Sequence, residues 1–155
     1  MAVTITHTTP ADGTFSATGA AAWNANHAVT GLDNISTAAI GYTFSGGGAV
    51  LTTGVIGVGL RVPFACTINS ATLQADVVGS MVVDIWKDTY ANFPPTVADS
   101  ICASAKPTLS SANKSEDTTL TGWTTAITAG DILYFNIDSC STITNAVLTL
   151  KVTKT

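Results

Sequence analysis

The chain has 155 residues, 46% of them hydrophobic and only 10% charged, with a formal net charge of −4. A typical soluble domain carries about 25% charged residues, so polarity here comes from Thr, Ser and Asn, a composition that favours strands. Six Lys and Arg form no basic stripe, which argues against a nucleic-acid partner, and no run approaches the roughly 18–20 apolar residues of a membrane-inserted helix.

The opening residues, Met1 to His7, lack the basic start and apolar core of a secretory signal. Val3 to Thr6 reads as one short strand. Pro10-Ala11-Asp12-Gly13 is turn chemistry, because Pro fixes φ and Gly accepts positive φ. Thr18 to Asn26 is the one small helix expected, with Thr18 as N-cap and Ala20 to Ala22 supplying propensity. Thr30-Gly31-Leu32-Asp33 then leads away from it.

Near residue 40 the pattern changes, so we expect an N-terminal segment of residues 1–40 followed by a β domain of residues 41–155. Tyr42 to Phe44 leads into the Gly46-Gly47-Gly48 hinge. Strands are expected over Val50 to Thr53, Val55 to Val62 and Phe64 to Ile68, with Pro63 forcing an edge or a bend. Ala71, Leu73 and Ala75 alternate with polar residues and face a core. Val78-Gly79-Ser80 reads as a turn into Met81 to Lys87, where Met81, Val83 and Ile85 point inward and Asp84 and Trp86 point the other way.

Asp88 to Pro107 is a long crossing loop with a short strand or a turn of helix around Val97 to Cys102. Thr118 to Trp123 is expected as a strand, with Trp123 in the core. Thr128-Ala129-Gly130-Asp131 turns into Ile132 to Asp138, where Leu133, Phe135 and Ile137 alternate with Tyr134 and Asn136. In the last strand Ala146, Leu148, Leu150 and Val152 share one face. Short strands at this spacing, separated by Gly and Pro turns, predict an all-β, jelly-roll-like antiparallel β-sandwich.

The chemistry available is sparse. His7 and His27 both lie in the N-terminal segment, so the β domain has no histidine for a catalytic triad. Asp84 and Asp88, near Trp86, Tyr90 and Phe93, are the best carboxylate pair for glycoside hydrolysis, but they also fit an ordinary strand end and loop. No catalytic residue is assigned. Cys66, Cys102 and Cys140 have no C-x-x-C spacing and read most simply as buried small hydrophobes; the alternative is one disulfide that strands the third thiol. No metal site or cofactor is expected. The glycines at 46–48 and 54–59 lack the Lys-Ser/Thr of a phosphate loop. Trp86, Tyr90, Phe93 and Pro94 form the one concentrated aromatic group. They either plug one end of the sandwich or make a ligand or subunit contact.

Two stretches carry a family resemblance. Trp23-Asn24-Ala25-Asn26-His27-Ala28-Val29-Thr30-Gly31-Leu32 resembles the W-N-x-x-H-x-(V/I)-T-G element found early in many tailed-bacteriophage fibre and decoration-type proteins. Met81 to Thr96, with Leu120 to Trp123 and Ala129 to Leu133, is similar to a β-sandwich module that recurs in phage virion proteins. The resemblance implies a structural protein on the virion surface, assembled in the host cytoplasm. Trp23, Asn24, His27, Val29 and Leu32 would attach it to capsid or tail proteins, and the sandwich would be displayed as a decoration protein or head fibre. Virion proteins repeat around symmetry axes, so a homotrimer is the expected oligomer. The alternative is a receptor- or glycan-binding tip that meets host-surface glycans, and a polysaccharide depolymerase is the third reading.

Overall fold

The computed structural model describes residues 4–7, 27–30 and 36–155, the first two stretches as backbone. The chain divides into two compact units, Met1–Ser36 and Thr37–Thr155.

In the first unit, β1 (Thr4–His7) and β2 (His27–Thr30) pair antiparallel, with Thr4 opposite Thr30 and His7 opposite His27. The strand expected over Val3 to Thr6 is thus described over Thr4–His7. The helix expected over Thr18 to Asn26 lies outside the described residues.

The second unit begins at Thr37 rather than Gly41. Ala38 and Ile40 already stand in register with Val152 and Leu150, and Ile40 is buried. Its strands are β3 (Thr37–Ser45), β4 (Gly54–Val55), β5 (Leu60–Arg61), β6 (Cys66–Asp88), β7 (Thr108–Asp117), β8 (Ala126–Ile127), β9 (Ile132–Ser141) and β10 (Asn145–Lys154). They form one antiparallel sheet that runs β3-β10-β6-β9-β4, with β5 also on β9 and with β7 and β8 also on β6.

The 23-residue β6 makes this single sheet sandwich-like. Its first half, Cys66 to Ala75, pairs with β10, and its second half, Ser80 to Asp88, pairs with β9. Strand β7 follows it across the bend, with Lys114 opposite Gln74 and Leu109 opposite Met81. The chain therefore bends through Val78-Gly79-Ser80 without breaking, where the sequence predicts a turn. Gly79 is required there by close approach. A Cβ would lie 2.5 to 2.7 Å from Thr142 Oγ1, Ser141 O and Ile143 Cγ1, at the end of β9 and in its connection to β10.

The apolar faces of the two layers meet in one core. Ile40 and Phe44 of β3, Leu148 and Leu150 of β10, Leu73 and Met81 of β6, and Phe135 and Ile137 of β9 all belong to it. Fully burying such a side chain is worth about 1.5–3 kcal/mol. Tyr42 of β3 stacks on Phe135 of β9 at 4.3 Å between ring centroids and donates its hydroxyl to the Ile56 carbonyl at 2.6 Å, tying the layers together.

The inward series predicted for β6, β9 and β10 are all observed. Two bulges adjust their phase. Register steps from Lys151 opposite Ser70 to Val152 opposite Ile68, so Asn69 is an extra residue, and the inward set moves from Cys66 and Ile68 to Ala71 and Leu73. Asp138 is the extra residue where Val82 faces Ser139 but Val83 faces Ile137. One inserted residue shifts a period-2 pattern to the other face.

Three expectations change. Thr118 to Trp123 is a turn, because the Asp117 carboxylate accepts the Thr119 and Leu120 amides at 2.8 and 3.1 Å, offering the backbone an alternative to a ladder. Trp123 follows it half-buried and donates its indole N–H to the Ala105 carbonyl at 2.8 Å. The region from Val50 to Val62 contains only the two-residue strands β4 and β5. Of the two alternatives expected around Val97 to Cys102, the turn of helix is the one observed, as a 3-10 turn over Val97–Asp99. All three cysteines are free; Cys66 and Cys102 are buried and Cys140 is half-buried. Burial pushes the Cys102 thiol up to about 12.

Candidate functional site

The period-2 pleat places Asp84, Trp86 and Asp88 of β6 on the outer face of the second layer. Register sets Asp84 opposite Asn136 and Trp86 opposite Tyr134 of β9. The loop after β6 returns along the edge of β6, from which its side chains reach this face. Its Ile101 amide bonds the Ile85 carbonyl at 2.9 Å, and Ser100 bridges to Trp86.

Asp84 is 1% exposed, yet every donor it needs is present. Ser100 Oγ donates to Oδ1 at 2.6 Å, while Trp86 Nε1 at 3.0 Å and Lys106 Nζ at 2.9 Å reach Oδ2. Lys106 Nζ also donates to Asp138 Oδ2 at 2.6 Å, and Asn136 Nδ2 donates to Asp138 Oδ1 at 2.7 Å. Burial works to raise the Asp84 carboxyl. The bonds from Ser100, Lys106 and Trp86, with the Lys106 charge, outweigh it and hold the group below the usual carboxylate range. Buried polar groups cost little only when their bonding is complete in this way. The network fastens the crossing loop to the sheet.

Asp88 accepts the Thr89 amide at 2.6 Å and Asn92 Nδ2 at 3.1 Å, closing the 3-10 turn Tyr90–Asn92. Asp84 and Asp88 thus share a face of β6 but serve different local structures. Asp131 is 5% exposed and accepts the Thr128 amide and Lys87 Nζ at 2.8 and 3.2 Å, which is the turn chemistry expected of it.

The aromatic group divides. Trp86 is half-buried and bonded to Asp84, and Pro95 is buried. Tyr90 is 68% and Phe93 50% exposed, and Pro94 is exposed beside them. Phe93 is held edge-on to Tyr134, with ring centroids 5.8 Å apart and planes at 87°. Gly59, at φ +83°, lets the backbone pass over Tyr134, where a Cβ would fall 2.3 Å from Cε1. The Arg61 guanidinium lies 5.2 Å from the Tyr90 ring centroid. The exposed surface is therefore Tyr90, Phe93 and Pro94, joined by Arg61. Sequence reading missed Arg61, although it is the sole arginine of the chain. It also missed Ser100 and Lys106, whose partners are remote in sequence.

No family model, curated protein or solved structure matches the chain.

Of the residues expected from sequence to make an attachment, His27 and Val29 stand in β2, opposite His7 and Ile5. Trp23, Asn24 and Leu32 lie outside the described residues. Among the described residues no three His, Cys, Asp or Glu cluster as metal ligands, and no helix is long and apolar enough to cross a membrane.

Proposed function

We propose that the protein is a structural component of a phage particle, attached through its N-terminal unit and displaying the β-sandwich on the capsid or tail surface without catalysis. The observation that carries this reading is the division at Ser36/Thr37. One side holds the His27-Ala28-Val29-Thr30 part of the attachment element in a two-stranded ladder; the other is a sheet that encloses its own core. A non-catalytic role is supported by the best carboxylate candidate, Asp84, being buried with both oxygens bonded. A homotrimer on a symmetric particle fits the same reading.

The test is deletion of residues 1–36. The truncated chain is expected to keep its β circular dichroism and cooperative unfolding while no longer co-sedimenting with particles that bind the full chain. Particle binding by the truncated chain would overturn the assignment.

A second reading is favoured by the exposure of Tyr90 and Phe93, which is large for aromatic rings. In it the displayed surface contacts a host glycan. Loss of host-cell or glycan binding in Phe93→Ala, with unfolding unchanged, supports it; equal binding by the variant removes it.

A further inference from the structure

Arg61 is the one arginine of a chain with net charge −4, and it is exposed beside an exposed ring. Its guanidinium lies 5.2 Å from the Tyr90 centroid, within the roughly 6 Å of a cation–π contact. On another side it borders Gly130, where a Cβ would sit 3.4 Å from the nearer terminal nitrogen. A cation–π contact engages the charge and uses no N–H of the guanidinium in a hydrogen bond, so its N–H edge stays available.

No acceptor takes that edge among the described residues. The ion pairs there all use lysine: Lys87 with Asp131, and Lys106 with Asp84 and Asp138. The nearby carboxylates are engaged elsewhere. Asp131 accepts Lys87 and the Thr128 amide, and Asp88, beyond Ile132 in the row Arg61–Ile132–Asp88, accepts Thr89 and Asn92. Arg61, Pro63, Ala129 and Gly130 line an open pocket of about 360 Å³, a size that suits a small ligand. Its wall is fixed by backbone bonds from Gly130 N to Val62 O at 2.7 Å and from Val62 N to Asp131 O at 2.8 Å.

We propose that this pocket binds the carboxylate of an acidic saccharide. The Arg61 fork would hold the carboxylate, and Tyr90 and Phe93 would pack against the sugar ring. A planar fork matches a planar carboxylate with two parallel bonds. Tyr90, beside Arg61, and Phe93, three residues on in the same loop, offer rigid apolar bulk for the C–H face of a pyranose. The inference rests on the reading of the Tyr90–Phe93 loop as a contact surface, but not on particle attachment.

The experiment is calorimetric titration of the full chain with trigalacturonate, with a neutral galactose trisaccharide and with inorganic phosphate. Wild type is expected to bind trigalacturonate about tenfold or more tighter than either comparator, the fold-change of one charge-assisted hydrogen bond. Arg61→Gln should lower trigalacturonate affinity to the level of the neutral sugar. Arg61→Lys, which keeps the charge and loses the fork, should fall between. No trigalacturonate binding by wild type, or equal binding by Arg61→Gln with an unchanged unfolding midpoint, overturns the site. Phosphate binding as tight as trigalacturonate overturns the saccharide class. Neutral sugar bound as tightly as trigalacturonate, and lost in Phe93→Ala, overturns the anion site while the contact-surface reading stands.

Discussion

Lys106 Nζ lies 2.9 Å from Asp84 Oδ2, and the carboxylate it reaches is 1% exposed on the outer face of β6. Residue 106 lies near the end of the loop that runs along the edge of β6, so the contact ties that loop to the strand. Removing one member of a fully buried pair costs about 3–5 kcal/mol, because the other charge stays buried without it. The Lys106 side chain keeps 27% exposure, and Ser100 and Trp86 still bond Asp84 in its absence. Lys106→Ala is therefore expected to cost about 2–3 kcal/mol, under the fully buried range. Urea unfolding measures it. The Asp84→Ala/Lys106→Ala double variant should lose less than the sum of the single losses, with a coupling of about 1–2 kcal/mol.

Stability should fall in acid through groups whose folded pKa is depressed. The Thr144 hydroxyl bond, with further bonds from Thr144 and Asn145, holds Asp76 down to about 2. Asp84 and Asp88 are lowered too, Asp88 chiefly by the Thr89 amide. A depressed carboxylate contributes stability above its unfolded value, roughly 4, and that contribution disappears as pH falls through the folded value. Lys106 is shifted up, first by its bond to Asp138 and then by Asp84. Its contribution is complete below the unfolded lysine value, about 10.4, and is lost as pH rises past the folded one. Burial also raises the Cys66, Cys102 and Cys140 thiols, which stay protonated in the fold while unfolded thiols ionise from about 8.5. Thermal midpoints should be flat between about pH 5 and 8, fall in acid through the carboxylates, and fall in base first through the thiols and then through Lys106. Asp76→Asn should make the fall between pH 4 and 2 shallower than in wild type; an identical acid limb would show that Asp76 plays no part.

The bend in β6 makes two glycines behave oppositely. Gly79→Ala puts a methyl 2.6 Å from the Ser141 carbonyl oxygen, and backbone cannot yield as a flexible side-chain tip can. Such overpacking is expected to cost about 1–3 kcal/mol. A Cβ at Gly41 in β3 meets nothing within 4 Å, so Gly41→Ala should be neutral or should stabilise by up to about 1 kcal/mol through the unfolded chain. Chemical denaturation of the two variants side by side checks the contrast. Equal losses would mean that the β9–β10 connection does not press on Gly79.

These positions show what the sequence could disclose. Alternation in Met81 to Ile85, Leu133 to Ile137 and Ala146 to Val152 was legible because burial on one face imposes it directly. Gly79 was visible but read as a turn, since its neighbour across the bend is 62 to 64 residues away. The polar run of β7, Thr108–Asp117, carries little apolar alternation, with Leu109 its one fully buried large side chain. The bulges at Asn69 and Asp138 have no local signature at all. At the candidate site the aromatic cluster was legible as composition. Which rings stay exposed was not, because that depends on Asp84 engaging Trp86 and on Tyr134 receiving Phe93.

Two phenylalanines separate fold from surface. Phe135 is 1% exposed and joins the layers, stacked on Tyr42 at 4.3 Å and edge-on to Phe44 at 6.4 Å. Phe135→Ala should cost about 3–5 kcal/mol, the range for truncating a buried aromatic, and should weaken the near-ultraviolet dichroism of Tyr42. Phe93 is 50% exposed and contacts Tyr134 by an edge, so Phe93→Ala removes one ring pair worth about 0.5–1.5 kcal/mol plus partial burial. Its unfolding midpoint should stay much closer to wild type. If Phe93→Ala were as destabilising as Phe135→Ala, the Phe93 ring would belong to the packing of the sandwich end, and its role as a displayed contact would fail.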